Sequence, residues 1–143
     1  MKINLNILAV LIAASTAVAV PPPEDAPVRE ILDAIRKQET GGEKDPNAAV
    51  GDNGKSIGAY QIQYAYWLDA VEKNPSLRKR GYNAVTDPEY AEEIVIAYMT
   101  RYAPDWNPET ILRIHNAGPK GHKKKSSVKY WREARQYLPE NLR

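Results

Sequence analysis

The sequence predicts an α+β fold that is predominantly α-helical and contains one small β-hairpin. Apolar residues recur at helical spacing in five separate segments, and a tight hairpin turn is indicated at Asn53-Gly54. The chain has 143 residues, enough for one domain of ordinary size. It has no cysteine, which excludes disulfides, thiolate metal sites and a cysteine nucleophile.

The N-terminus has the pattern of a secretory signal peptide, which we place at residues 1–19. Lys2 precedes an apolar run from Leu5 to Ala14, and Ala17-Val18-Ala19 is typical of a cleavage site. Residues 20–27 are rich in proline and are expected to form a linker, and residues 28–143 the folded domain. We therefore expect a secreted or periplasmic protein.

The first helix and the hairpin follow directly after the linker. Pro27 suits the first turn of a helix, and Val28 and the apolar residues after it share one face as far as Ile35. Thr40-Gly41-Gly42 is expected to end this helix, which leaves Glu39 in its last turn. In the hairpin, Ser56 to Ile62 is predicted to return as one strand.

Four further helices are predicted after the hairpin. The first begins near Gln63 and ends before Asn74-Pro75. The next two begin at an N-cap residue followed by proline, at Asp87-Pro88 and at Asn107-Pro108. Ser126 or Ser127 is expected to cap the last helix, whose apolar face contains Tyr130, Trp131, Ala134 and Leu138.

Two carboxylates form a candidate acid–base pair. Glu39 is predicted at a helix C-terminus, whose partial negative charge disfavours the ionised form, and partial burial would raise its pKa further. A carboxyl group that keeps its proton near neutral pH is suited to general-acid catalysis. Asp52 is predicted in a polar turn, where we expect the ionised form. Two carboxyl groups in contrasting environments are the arrangement that glycoside cleavage uses.

The residues around this pair resemble the core of invertebrate-type, destabilase-like lysozymes. The resemblance includes Glu39-Thr40-Gly41-Gly42, the run from Asp52 to Ile62, and Tyr66-Trp67. It continues through three later stretches, which are Tyr98-Met99-Thr100-Arg101-Tyr102, Arg113 to Gly121, and Tyr130-Trp131. It covers roughly residues 28–138 in order. Members of that family are rich in cysteine, and Ile57 stands where they usually carry one.

The resemblance implies a lysozyme-like fold with the hairpin beside an active-site cleft. It implies a bacteriolytic, antimicrobial glycoside hydrolase that cleaves β-1,4 bonds between N-acetylmuramic acid and N-acetylglucosamine in peptidoglycan. Glu39 would protonate the leaving oxygen, and Asp52 would act as nucleophile or electrostatic stabiliser. The residues expected to shape the cleft and bind substrate are Ser56, Tyr60, Gln61, Tyr66, His115 and Asn116.

No cofactor is expected, because this chemistry needs only proton transfer and charge stabilisation. No metal site is expected either, since a Gly-Pro break separates His115 from His122. The expected partner is peptidoglycan, with chitin oligosaccharides as a second substrate. We expect a monomer that neither binds nucleic acid nor inserts stably into a membrane.

Two alternatives remain open on the sequence. The chain also resembles soluble lytic transglycosylases at Ala49-Val50, at Gly58-x-x-Gln61-Ile62 and at Asn116-Ala117-Gly118-Pro119. Those enzymes use a single catalytic glutamate, and Glu39 would fill that role. The other alternative is a catalytically silent lysozyme fold that only binds glycan. Retention of Glu39 argues against it, because a pure binder gains nothing from a desolvated acid.

The C-terminal part of the chain is strongly basic. Residues 120–143 contain eight Lys and Arg against two Glu, whereas the whole chain has a net charge of only +2. Lys120, Lys123, Lys124 and Lys125 are predicted to form a basic loop. This loop is either an ordinary solvated surface or a site of attraction for anionic cell-wall polymers or membranes.

Overall fold

The structure, a computed structural model, describes residues 20–143; the predicted signal peptide lies outside them. Within this range the helices are α1 (Val28–Thr40), α2 (Tyr64–Val71), α3 (Pro75–Arg78), α4 (Pro88–Tyr102), α5 (Pro108–Ala117) and α6 (Ser127–Ala134). Three short strands, β1 (Val50–Gly51), β2 (Ser56–Ile57) and β3 (Ile62–Gln63), form an antiparallel sheet in that order. The predicted α+β, predominantly helical class is confirmed. No helix in residues 20–143 is long and apolar enough to cross a membrane.

Two helices begin at the caps that the sequence predicts. The Asp87 carboxylate accepts a hydrogen bond from the backbone N–H of Tyr90 (2.9 Å) at the start of α4. The Asn107 side chain accepts one from the N–H of Thr110 (3.0 Å) at the start of α5. A proline follows each cap residue. At this first helical position a backbone N–H would have no hydrogen-bond partner within the helix, so the missing N–H of proline costs no hydrogen bond.

The end of α1 is attached to the chain that leads into β3. Thr40 is buried, and its hydroxyl donates a hydrogen bond to the carbonyl oxygen of Ala59 (2.8 Å). On the apolar face of α1, Ile31 and Ile35 are fully buried in the core. Packing and this polar contact therefore help to fix the last turn, which carries Glu39.

The predicted single returning strand from Ser56 to Ile62 is wrong. The chain reverses again after β2, so that Ile57 pairs with both Val50 and Ile62. This reversal needs glycine at position 58 for two reasons. The φ of Gly58 is +79°, which other residues rarely adopt, and a Cβ there would overlap the carbonyl oxygen of Val85. The hairpin is therefore the first half of a three-stranded sheet.

Three smaller expectations also differ from the structure. The short helix α3 occupies the segment after Asn74, which was predicted only to interrupt α2. Helix α6 ends at Ala134, and Leu138 follows a 3₁₀ turn. Ser126 occupies the N-cap position of α6, as predicted, but its side chain makes no capping hydrogen bond. The Ser127 hydroxyl donates to the carbonyl oxygen of Gly121 (2.7 Å).

The core is rich in tyrosine and tryptophan, since the chain contains no phenylalanine. Helix α2 packs against α4 there, and the Trp67 indole N–H donates to the Tyr90 hydroxyl (2.9 Å). That hydroxyl in turn donates to the carbonyl oxygen of Leu77 (2.7 Å). The polar ends of these buried rings thus have partners, and the core holds α2 and α4 together beside the cleft.

Candidate active site

A cleft of about 590 Å³ collects most of the residues that the sequence analysis selected. Helices α1, α2, α4 and α5 and the sheet with its turns all contribute to its walls. The predicted site residues that line it are Glu39, Asp52, Ser56, Gln61, Tyr66, His115 and Asn116. These residues span 77 positions of sequence from first to last (116 minus 39), so only the folded chain brings them together.

Glu39 lies in the last turn of α1 with its carboxyl group largely buried. Its side chain is 21% exposed. The Tyr130 hydroxyl donates a hydrogen bond to Oε1 (2.7 Å), and Nε2 of His115 lies 3.6 Å from the same oxygen. One carboxyl oxygen is thus held by the protein.

Burial raises the pKa of Glu39 above its ordinary value, and the negative charge of Asp52 raises it further. The hydrogen bond from Tyr130 acts in the opposite direction and lowers the pKa. The net rise agrees with the direction that the sequence predicts, although desolvation is the main cause. A carboxyl group whose pKa is raised in this way is a better proton donor for general-acid catalysis than a fully solvated one.

Asp52 lies in the turn between β1 and β2, with a φ of +48°. Its Oδ2 accepts hydrogen bonds from the Ser56 hydroxyl (2.9 Å) and from the Gln63 side-chain amide (3.2 Å). Ser56 and Gln63 are cross-strand partners on β2 and β3. The sheet thus presents two donors side by side, and they orient the Asp52 carboxylate.

His115 is neutral at ordinary pH and links three parts of the site. Burial lowers its pKa to about 4. Its Nε2 lies 3.1 Å from the carbonyl oxygen of Tyr60, and its Nδ1 lies 3.3 Å from the Tyr66 hydroxyl. Because a carbonyl can only accept, Nε2 carries the ring proton, and the Tyr66 hydroxyl donates to Nδ1.

Tyr66 and Tyr98 form an aromatic wall of the cleft. Their rings are stacked with centroids 3.7 Å apart and planes within 15° of parallel. Burial raises the pKa of the Tyr66 hydroxyl well above its ordinary value, so it remains a hydrogen-bond donor. A rigid aromatic surface of this kind is suited to stacking against the apolar face of a sugar ring.

Tyr60 corrects the sequence prediction, because its side chain does not line the cleft. It is 1% exposed, and its hydroxyl donates to Oε1 of Glu92 (2.8 Å). The other oxygen of Glu92 pairs with Arg29 (2.6 Å). The second reversal of the chain at Gly58 places this side chain in the core, so Tyr60 contributes only its backbone carbonyl, to His115.

Gln61 lines the cleft, but its amide group is used within the protein. It donates to the carbonyl oxygens of Gly58 (3.0 Å) and Ala49 (3.4 Å). Asn116 differs, since it is exposed and its side chain makes no hydrogen bond within residues 20–143. Asn116 therefore keeps its full hydrogen-bonding capacity for a ligand.

Three residues that contribute to the site are not among those predicted from the sequence. Tyr130 holds Glu39, Gln63 holds Asp52, and Tyr98 stacks on Tyr66. Gln63 follows Gln61 by two positions, so strand alternation could have placed both on one face.

Residues 20–143 contain no cluster of three or more potential metal ligands among His, Cys, Asp and Glu.

Comparison with known proteins gives consistent matches. The destabilase family model matches residues 29–137. A lysozyme from Ostrea edulis is 31% identical over 127 residues, which are 86% of this chain and 90% of that protein. A lysozyme from Magallana gigas is 34% identical over 85 residues, and the match spans only 59% of its length. The crystal structure of a lysozyme from Tapes japonica superposes with a TM-score of 0.61 at 30% identity, covering 76% of this chain and 88% of that one.

Proposed function

The chain belongs to the destabilase family, and on that premise we propose that it is a lysozyme that cleaves β-1,4 bonds between N-acetylmuramic acid and N-acetylglucosamine in peptidoglycan. One observation carries the proposal. A buried carboxyl group with a raised pKa, Glu39, and a second carboxylate held by two donors, Asp52, line the same cleft. Glycosidases use such a pair.

Glu39 acts as the general acid and protonates the leaving glycosidic oxygen. In the protonated carboxyl group, Oε1 accepts the hydrogen bond from Tyr130, so the proton resides on Oε2. When Glu39 has given up its proton, the same hydrogen bond stabilises the carboxylate. Tyr130 is therefore a positioning residue, because its hydrogen bond occupies Oε1 and leaves Oε2 to carry the proton.

Asp52 acts on the positive charge that develops at the sugar ring, either as nucleophile or as electrostatic stabiliser. Ser56 and Gln63 hold its Oδ2 and so reduce the movement needed during the reaction. Tyr66 stacks against substrate, His115 orients Tyr66, and Asn116 offers a free amide to the glycan.

The N-terminal pattern supports export of this enzyme, with removal of residues 1–19 as the signal peptide. Peptidoglycan lies outside the cytoplasmic membrane, so a secreted or periplasmic location agrees with the proposed substrate. The proposal includes an antibacterial role for a secreted enzyme, because peptidoglycan is the wall polymer of bacteria.

Digestion of purified peptidoglycan, followed by mass spectrometry of the products, tests the proposal. We expect muropeptides with a free reducing end, and none in the Glu39→Gln variant. Products with a 1,6-anhydro end, lighter by one water, would instead identify a lytic transglycosylase. Binding without any product would identify a glycan-binding protein.

A further inference from the structure

The basic loop at residues 120–125 is the strongest charged feature that the proposed reaction leaves unused. Between Glu109 and Glu133 the chain contains no acidic residue, and it contains seven Lys and Arg residues there. Lys120, Lys123 and Lys125 are exposed, and within residues 20–143 none of them forms an ion pair. Their charges are therefore available to a ligand.

The backbone of this loop is held by a buried network. The Arg113 guanidinium donates to the Ser127 hydroxyl (3.0 Å) and to the carbonyl oxygen of Lys124 (3.0 Å). Ser127 is fully buried and donates to the carbonyl oxygen of Gly121 (2.7 Å). Gly121 packs so closely on Arg113 that a Cβ would overlap its carbonyl oxygen. The fold thus presents these lysines from a fixed backbone.

The loop also continues directly from a wall of the cleft. Asn116 to Pro119 line the cleft, and Lys120 is the next residue. Lys124 is turned back toward this wall, where its ammonium group donates to the carbonyl oxygen of Ala117 (2.6 Å). A polymer that leaves the cleft past Asn116 would therefore meet the basic loop.

We propose that Lys120, Lys123 and Lys125 form an anion-binding surface that extends the cleft and binds the carboxylates of peptide side chains on a glycan strand. The inference rests on the proposed function and deepens it, because a peptide-bearing, anionic glycan would bind this surface more tightly than neutral chitin. N-acetylmuramic acid carries such peptides, whereas chitin has no carboxylate. Lysine suits this ligand because its flexible stem can follow carboxylates that have no fixed position.

The test compares binding to two forms of one polymer. Peptidoglycan freed of other wall polymers is used either intact or with its carboxylates converted to amides. Binding is measured by sedimentation in a Glu39→Gln background, which keeps the polymer from being cut. The variant Lys120→Gln/Lys123→Gln/Lys125→Gln is compared with Lys44→Gln/Lys73→Gln/Lys79→Gln, which removes three exposed lysines that lie outside the cleft lining.

We expect the loop variant to raise the Kd for intact peptidoglycan roughly tenfold, since each exposed ion pair contributes up to about fivefold. Amidation of the polymer should raise the Kd of the parent protein to a similar degree. The parent and the loop variant should then bind the amidated polymer with the same Kd. The control variant should keep the parent's Kd. Raising the salt concentration from ~0.1 M to ~1 M shortens the screening length from ~10 Å to ~3 Å. This change should raise the Kd of the parent more than the Kd of the loop variant.

Three results would overturn the inference. The first is a loop variant that binds intact peptidoglycan like the parent, and the second is a control variant whose Kd rises equally. The third comes from the same sedimentation assay run on phosphatidylglycerol vesicles, and is a loop variant that loses binding to the vesicles but not to peptidoglycan. Failure of the proposed function is a separate result, in which the unmutated chain releases no muropeptide. The comparison of Kd values keeps its meaning in that case, because it does not depend on cleavage.

Discussion

Tyr130 on α6 donates a 2.7 Å hydrogen bond to Oε1 of Glu39 on α1, across 91 positions of sequence. The contact joins α6 to the C-terminal turn of α1, which carries the proposed general acid. Burial and the charge of Glu39 raise the pKa of the Tyr130 hydroxyl well above its ordinary value. The hydroxyl therefore stays protonated and acts as a donor throughout the working pH range.

Removal of this hydrogen bond should shift the pH profile of the enzyme. The contact lowers the pKa of Glu39, so Tyr130→Phe should raise that pKa and move the alkaline limb of kcat/KM to higher pH. The measurement is the pH dependence of muropeptide release. Tyr64→Phe, at an exposed position, is the matched control and should leave the limb in place. An unshifted limb in Tyr130→Phe would show that Tyr130 has only a structural role.

Glu39→Gln should lose activity while keeping the fold. Glutamine preserves the shape and can accept from Tyr130, but it delivers no proton, so general-acid catalysis worth ~10²–10⁴-fold is lost. Rates of cell-wall lysis and circular dichroism spectra measure the two quantities. Glu30→Gln, an exposed substitution on the same helix, should retain full activity. Near-native lysis by a folded Glu39→Gln variant would refute the assignment.

The same substitution should change stability in a pH-dependent way. Because burial raises the pKa of Glu39 in the folded state, the folded protein holds this proton over a range in which the unfolded chain has lost it. Stability is therefore lost as the pH rises from the ordinary carboxyl value through the folded value. Glu39→Gln lacks this loss, so its Tm relative to the parent should be higher at pH 7 than at pH 4. Glu30→Gln should show no such trend, and an equal offset at both pH values in Glu39→Gln would contradict the raised pKa.

Asp52→Asn should separate the two-carboxylate mechanism from a mechanism with one glutamate. The change removes the charge at nearly constant volume, so stabilisation of the oxocarbenium-like state is lost and hydrolysis should fall strongly. Muropeptides are quantified by mass spectrometry, with the exposed Asp25→Asn as control. Sustained turnover by Asp52→Asn with anhydro products would favour transglycosylation.

Tyr60→Phe tests the corrected position of Tyr60. Loss of the hydrogen bond to Glu92 should lower the free energy of unfolding by roughly 1–3 kcal/mol, since the acceptor is charged and paired with Arg29. The values of kcat and KM should stay within about twofold.

Tyr66→Phe is the comparison variant for Tyr60→Phe. Loss of the contact of Tyr66 with His115 in the cleft should reduce activity. A large activity loss in Tyr60→Phe with unchanged stability would place Tyr60 in the cleft after all.

The sequence by itself determined features that depend on residues a few positions apart. The caps at Asp87 and Asn107 and the end of α1 near Glu39 were predicted because each signal and its consequence lie within one helical turn. The order of short motifs from Glu39 to Asn116 likewise indicated the family, and with it the residues that line most of the cleft.

Tertiary structure decided what depends on packing between distant segments. The second reversal brings Gly58 so close to the carbonyl of Val85 that no Cβ fits between them, and this reversal places the Tyr60 side chain in the core. The raised pKa of Glu39 comes mainly from burial, and its hydrogen bond comes from Tyr130 on another helix. Local sequence patterns carry no information on which of many tyrosines meets a given carboxylate, because desolvation and long-range contacts exist only once the helices have packed.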